Sequence, residues 1–236
     1  MAEHTHASQE KIWSHFQNVA TEKFIAARPR LEHLFRRMAR LTSESSPALL
    51  NIGIGDGHLE RLALAQGWQV HSLDPDPQAV ARLAAAGVQA QVGGIEALPH
   101  EAGSLDFVVA SEVLEHLTED QRAAGIRQIA RVLKAGGYFL GTVPYNEDLA
   151  EQQAVCPHCG EVFHRWGHQR SFTLDDVREQ LSPSFTVREL RKTAFVTFRD
   201  RSLLGKAKSA VRLLLARAGQ PIAVPTIFWL AEVKAR

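Results

Sequence analysis

The sequence predicts an α/β fold with a mostly parallel sheet covered by helices on both faces. Three observations point there. Short apolar runs recur between stretches whose apolar residues follow helical spacing. The first run, Ala48-Leu49-Leu50-Asn51-Ile52, leads straight into the glycine-rich turn Gly53-Ile54-Gly55-Asp56-Gly57. The second run ends in the acidic residue Asp74. Strands that alternate with helices of about ten to fifteen residues are the pattern of parallel strands joined by crossover helices.

The elements follow in order. From about residue 10 to 41, Ile12, Phe16 and Val19, then Leu31, Leu34, Phe35, Met38 and Leu41, lie at helical spacing interrupted at Pro29. This is an amphipathic helical lead-in, read as a lid. The polar stretch 42–47 closes it, and residues 48–52 form a buried strand entering a turn. Helix 58–66, strand 68–73, helix 77–86, strands 88–92 and 105–110, helix 118–133 and strand 137–143 come next. After Pro144 a polar segment, about 145–172, breaks the rhythm and reads as an insert. Helix 174–181, strand 185–198, a basic helix 203–218 and a last strand 226–233 complete the chain. At 236 residues the whole, 1–236, has room for one sizeable core and not for two enzymatic domains.

Composition narrows the class. With 45% apolar and 22% charged residues the chain has an ordinary globular composition. A net charge of +1 announces no polyanionic partner, so nucleic acid is not expected. No apolar run is long enough to cross a membrane, and Met1 to His6 lack the basic start and apolar stretch of a secretory leader, so a cytoplasmic protein is expected. The two cysteines, Cys156 and Cys159, stand two residues apart, which in a reducing compartment points to metal or redox chemistry before a disulfide.

A loop of glycines lets backbone come close to a ligand, and the helix behind it offers unpaired N–H groups. Asp74, about twenty residues on, is placed to accept from both hydroxyls of an adenosine ribose. The spacing is Gly-x-Gly-x-Gly, whereas the dinucleotide fingerprint requires a glycine where His58 stands. Asn51-Ile52-Gly53-Ile54-Gly55-Asp56-Gly57 resembles the first motif of class I S-adenosylmethionine-dependent methyltransferases, Asp74 their ribose-binding acid, and the stretch from Leu105 to His116 their fourth-strand motif. Lys134-Ala135-Gly136-Gly137 is similar to the loop entering their fifth strand.

The resemblance implies a Rossmann-like methyltransferase fold, doubly wound, with seven strands of which the last is antiparallel. It implies S-adenosyl-L-methionine as cofactor, held by Asn51, Gly53, Gly55, Gly57, Asp74, Pro75 and Ser111, with Gly94 and Ile95 flanking the adenine. Two positions depart from the family, which commonly has an acid where Asn51 and Gly94 stand. Asn51 can accept from the cofactor ammonium without charge, and Gly94 offers no side-chain acceptor, which leaves the Ile95 N–H as an adenine donor.

Methyl transfer needs alignment above all, and a base only when the acceptor must lose a proton. Glu112 and His116 are the candidate catalytic residues. On a helix, Glu112, Glu115 and His116 share one face. Glu-x-x-Glu-His also resembles the metal-binding motif of small-RNA 2′-O-methyltransferases, which would need His164 or His168 to complete it. In the insert, Cys156, Cys159, His164 and His168 have the composition of a closed tetrahedral zinc site, compressed into a short knuckle. Arg165 and Arg170 beside it suit an anionic acceptor. The basic amphipathic helix 203–218 is expected to pack on the core, its alternative being a membrane surface. The functional expectation is O-directed methylation of a small molecule or glycan. The alternatives are a metal-dependent RNA 2′-O-methyltransferase, a protein that binds the cofactor without turnover, and a nicotinamide-dependent oxidoreductase.

Overall fold

A computed structural model describes residues 6–196, 202–220 and 223–234. The sheet begins with β1 (Ala48–Ile52), whose five residues are all buried. Its neighbours β2 (Gln69–Asp74) and β4 (Leu105–Ser111) pair with it in parallel, as β3 (Gln89–Val92) does with β2. β5 (Leu133–Pro144) adds in parallel to β4, and β9 (Thr226–Val233) then runs antiparallel to both β5 and β8 (Phe185–Thr193). The spatial order is β3-β2-β1-β4-β5-β9-β8, seven strands among the described residues with β9, the last in the chain, reversed, as the resemblance implied.

Alternation along the strands feeds two cores, because successive side chains face opposite sides of a sheet. Leu50, Val108 and Phe139 meet Ile126 and Ile129 of α5 (Glu119–Val132) and Val177 and Leu181 of α6 (Leu174–Leu181). Leu49, Val109 and Leu140 face the other way, onto α2 (Arg28–Ala39), α3 (His58–Leu64) and α4 (Pro77–Ala84). The starts of α5 and α6 are fixed by capping boxes, Thr118 with Gln121 and Thr173 with Asp176.

The helical lead-in is built as α1 (His6–Asn18), a short 3-10 helix (Thr21–Ala27) and α2. Pro29 breaks no helix: it lies in the first turn of α2, where a missing N–H costs nothing. The segment 112–116 is not the α-helix on which Glu112, Glu115 and His116 would share a face, since Glu112 has a φ of 57° and only Leu114–His116 make a single 3-10 turn. The insert forms a two-stranded hairpin apart from the main sheet, β6 (Gln153–Val155) against β7 (Val162–His164). β8 ends at Thr193, earlier than expected, and residues 197–198 of that expected strand lie outside the described residues. α7 (Leu203–Arg217) also differs from expectation, because Leu203, Leu204, Val211 and Leu214 are exposed instead of packed on the core. Among the described residues no helix is long and apolar enough to cross a membrane.

Candidate functional site

The glycine turn after β1 is a backbone shape that side chains would prevent. Gly53, Gly55 and Gly57 have φ of 84°, 56° and 73°, in the left-handed region that glycine enters freely. A Cβ on Gly53 would stand 2.8 Å from Val113, and one on Gly57 2.6 Å from Leu83. Gly57 caps α3, so the amides of its first turn point toward the loop.

Asp74, at the end of β2, is 1% exposed. Its Oδ2 accepts from the Ile54 amide at 2.8 Å, and its Oδ1 from the Asp76 amide at 2.9 Å. These bonds tie the carboxylate to the glycine loop, while burial holds its pKa above the usual carboxylate range. Gln17 of α1 also donates to Oδ2, at 2.9 Å, so the lead-in closes over the position where a ribose hydroxyl would bond. Pro75, beside it, is exposed.

Both departures from the family motif are accompanied by a carboxylate nearby. Asn51 is 3% exposed, and its Nδ2 donates to Glu60 Oε1 at 2.7 Å and to the Gly53 carbonyl at 3.1 Å. Glu60 is fully buried, accepts from Ser72 Oγ at 2.9 Å, and keeps Oε2 without a hydrogen-bond partner. Burial pushes its pKa upward. At the adenine end, the carboxylate of Glu96 folds back to 2.6 Å from where a Cβ on Gly94 would lie. Ile95 is buried in the core, its side chain directed toward Gly125 of α5. The glycine cradle, the buried Asp74 and the orphaned Glu60 oxygen are together what a cationic adenosine sulfonium would require.

The end of β4 carries the second group. Ser111 Oγ lies 3.0 Å from Thr142 Oγ1 and accepts from Arg30 Nε at 2.9 Å. Glu112 lies 3.8 Å from Arg30, with its Oε1 buried and unpartnered. Glu115 is fully buried with both carboxylate oxygens unpartnered. Burial, reinforced by neighbouring Glu112, pushes its pKa well above the usual carboxylate range.

His116 Nδ1 faces the Gly167 carbonyl at 3.3 Å. A carbonyl only accepts, so that nitrogen carries the proton and Nε2 keeps its lone pair. Burial, then the nearby His168, pushes the His116 pKa down to about 3. His168 is oriented in the same sense, Nδ1 lying 2.5 Å from Glu147 Oε2. His164 is oppositely oriented: its Nδ1 accepts from the amides of Trp166 and His168, so its proton sits on Nε2, 3.6 Å from Glu147. One ligand atom each from Glu115, His116 and His168 lie within 4.8 Å of one another, as do those of Glu147, His164 and His168. Trp13 of α1 covers this cluster, its ring centroid 5.1 Å from that of His116.

The four-residue zinc site expected in the insert is not assembled. Cys156 and Cys159 lie in the turn at the hairpin tip, where Gly160 N–H donates to the Cys156 carbonyl at 2.9 Å. His164 pairs with Gln153 at the hairpin's other end, and its partners are Glu147 and His168. Among the described residues no group of three or more converging ligands includes a cysteine. Backbone amides of Cys159 and His158 donate to the Cys156 sulfur and lower its pKa. Sequence reasoning missed Glu60, Glu96, Gln17 and Glu147. The only advance signal was an acid close to each position where the motif lacked one.

Comparison with known proteins points to the same fold. Residues 50–141 match the methyltransferase domain family. An uncharacterized methyltransferase of Geobacillus sp. (strain WCH70) is 24% identical over 165 residues, 66% of this chain and 78% of that protein. The uncharacterized methyltransferase YrrT of Bacillus subtilis (strain 168) is 26% identical over 176 residues, 70% of this chain and 80% of its own. In fold, the chain resembles the methyltransferase solved in complex with the Haloferax volcanii Trm112 activator, with a TM-score of 0.68 at 18% identity, covering 95% of this chain and 98% of that one. It also resembles 1,6-didemethyltoxoflavin-N1-methyltransferase of Burkholderia thailandensis, solved with S-adenosylhomocysteine, with a TM-score of 0.63 at 17% identity, covering 96% and 87%.

Proposed function

We propose that the chain is a class I S-adenosylmethionine-dependent methyltransferase, a reading supported by the matched methyltransferase domain, and that it methylates a hydroxyl oxygen of a small molecule or glycan. When bound, the cofactor supplies a methyl group already activated by its sulfonium. In this reading the glycine loop and Asp74 seat the adenosine, Glu60 answers the ammonium charge through Asn51, and Glu96 accepts from the adenine amino group. α1 then excludes water, with Trp13 and Gln17 over the two halves of the site.

The observation that carries oxygen as the acceptor atom is the His116 imidazole, kept neutral by burial with its Nε2 lone pair free. A neutral amine attacks through a lone pair it already has and needs no base, and a carbon acceptor needs a strong one. A hydroxyl becomes a strong acid only as it takes the methyl, so a weakly basic, fixed imidazole suffices. The test is an acceptor screen with methyl-labelled cofactor over sugars, sugar nucleotides and phenols. Label in an alkali-stable ether is expected, with product formation falling at least about a hundredfold in His116→Ala. Label on nitrogen or carbon would refute the reading.

A second reading is favoured by a specific observation. Glu115 has two buried oxygens without partners, and His116 and His168 turn free Nε2 lone pairs from rings fixed by Gly167 and Glu147. Two imidazoles and a carboxylate, each ring held by an outer partner, form a ligand set for a divalent transition ion. Such an ion would acidify the acceptor hydroxyl in place of the imidazole. Elemental analysis of purified protein and of His168→Ala decides. Metal lost in the variant, with activity removed by chelator, supports this ion; chelated protein with full activity leaves His116 as the base.

A further inference from the structure

The packing of α7 runs against its composition. At 100° per residue, Gly205, Ser209 and Ala216 fall on the side turned to the protein, with Ser209 and Ala216 buried. The opposite arc carries Leu203, Leu204, Val211 and Leu214, which are 86%, 66%, 55% and 64% exposed. Exposed Lys208 borders this arc on one side, Lys206 and Arg217 on the other. No acidic residue occurs anywhere in Leu203–Arg217. The helix thus rests on its own protein through small side chains and the half-buried Leu213, and turns most of its large apolar ones to water, inside a cationic frame.

We infer that α7 seats the protein on an anionic membrane surface, the leucines entering the acyl boundary and Lys206, Lys208 and Arg217 lying at headgroup level. Charge complementarity selects this occupant. A ridge bordered by cations on both sides is matched by a continuous anionic plane. A second copy meeting the same ridge about a two-fold axis would set cation against cation. The placement also has a consequence for the site. Thr193 of β8 and Pro144 of β5 both pair with Thr226 of β9, so β8 ends and β9 begins, on either side of α7 in the chain, at the same sheet edge as the glycine loop and the end of β4. Seating α7 turns that edge toward the bilayer, which, given the methyl-transfer reading, suits an acceptor carried on a lipid or another amphiphile.

Co-sedimentation of the full chain with vesicles tests the seating without any cofactor or turnover. The protein is expected on vesicles of phosphatidylglycerol mixed with phosphatidylcholine, much less on phosphatidylcholine alone, with binding that weakens as salt rises. Leu203→Ser with Leu214→Ser should abolish binding while leaving the melting temperature in place, since both positions are exposed. Lys206→Gln, Lys208→Gln and Arg217→Gln together should weaken it about a hundredfold, roughly fivefold for each cation removed. No binding by the wild-type chain would overturn the inference. So would binding indifferent to the leucine pair, or a solution dimer by light scattering that dissociates with the leucine pair. Because binding is read without methyl transfer, a failed acceptor screen leaves this result standing, and the reverse holds too.

Discussion

At the scale of single residues, the site compensates for its own irregularities. The motif lacks an acid at Asn51 and at Gly94, and the structure sets Glu60 and Glu96 against those positions. Glu96→Gln removes an acceptor charge from an exposed side chain, so calorimetry with S-adenosylhomocysteine should show affinity falling a few fold, not abolished. Glu60→Gln should cost more, because it keeps the acceptor for Asn51 and Ser72 but removes a fully buried negative charge and puts an unpartnered NH2 where Oε2 stands. The glycines, Asp74 and the Glu112–His116 group were legible in the sequence because each stands at the end of a strand, β1, β2 and β4 in turn. Glu147 and Gln17 were not, since their roles come from contacts across the fold, 57 positions apart in the case of Gln17 and Asp74. The Cys-His set expected in the insert does not come together for a related reason: hairpin register carries the cysteines to the tip and the histidines to Glu147.

At the scale of elements, strands and helices followed from periodicity, while their ends were set by local chemistry that periodicity does not report. Residues 112–116 show this: their i, i+3, i+4 spacing is compatible with one helix face, yet Glu112 takes a left-handed φ at the strand end. The lead from β1 into α3 hinges on Gly57 in the same way. Gly57→Ala forces a side chain into a φ of 73° and 2.6 Å from buried Leu83. We expect a loss of about 2–3 kcal/mol, seen as a melting temperature about 4–12 °C lower. Gly67→Ala, with a φ of 76° but nothing within 4 Å, should lose only the backbone share. Equal losses in the two variants would show that crowding against Leu83 contributes nothing.

At the scale of the whole molecule, stability should depend on pH through histidines that burial keeps neutral. His33 and His100 are each lowered from 6.5 to about 4, by burial first and then by Arg191 and His71 respectively. Between those values the unfolded chain takes up a proton at each position while the folded chain does not. Their contribution is therefore complete above pH 6.5 and is lost as the pH falls toward 4. Glu60 and Glu115, whose pKa values are raised, act with the opposite sign. The difference between wild type and His33→Gln/His100→Gln isolates the histidines, and the variant should lose less melting temperature on going from about pH 7 to pH 5.

The cofactor cradle links these scales, since a residue, a loop and a sheet edge all converge on Asp74. Titration of S-adenosylhomocysteine into the wild-type protein and into Asp74→Asn, followed by calorimetry with NAD as the competing ligand, reads it directly. The geometry predicts saturable binding of S-adenosylhomocysteine alone, weakened about ten- to hundredfold by the substitution. Unchanged affinity in Asp74→Asn, or binding of NAD in place of the adenosyl thioether, would contradict it.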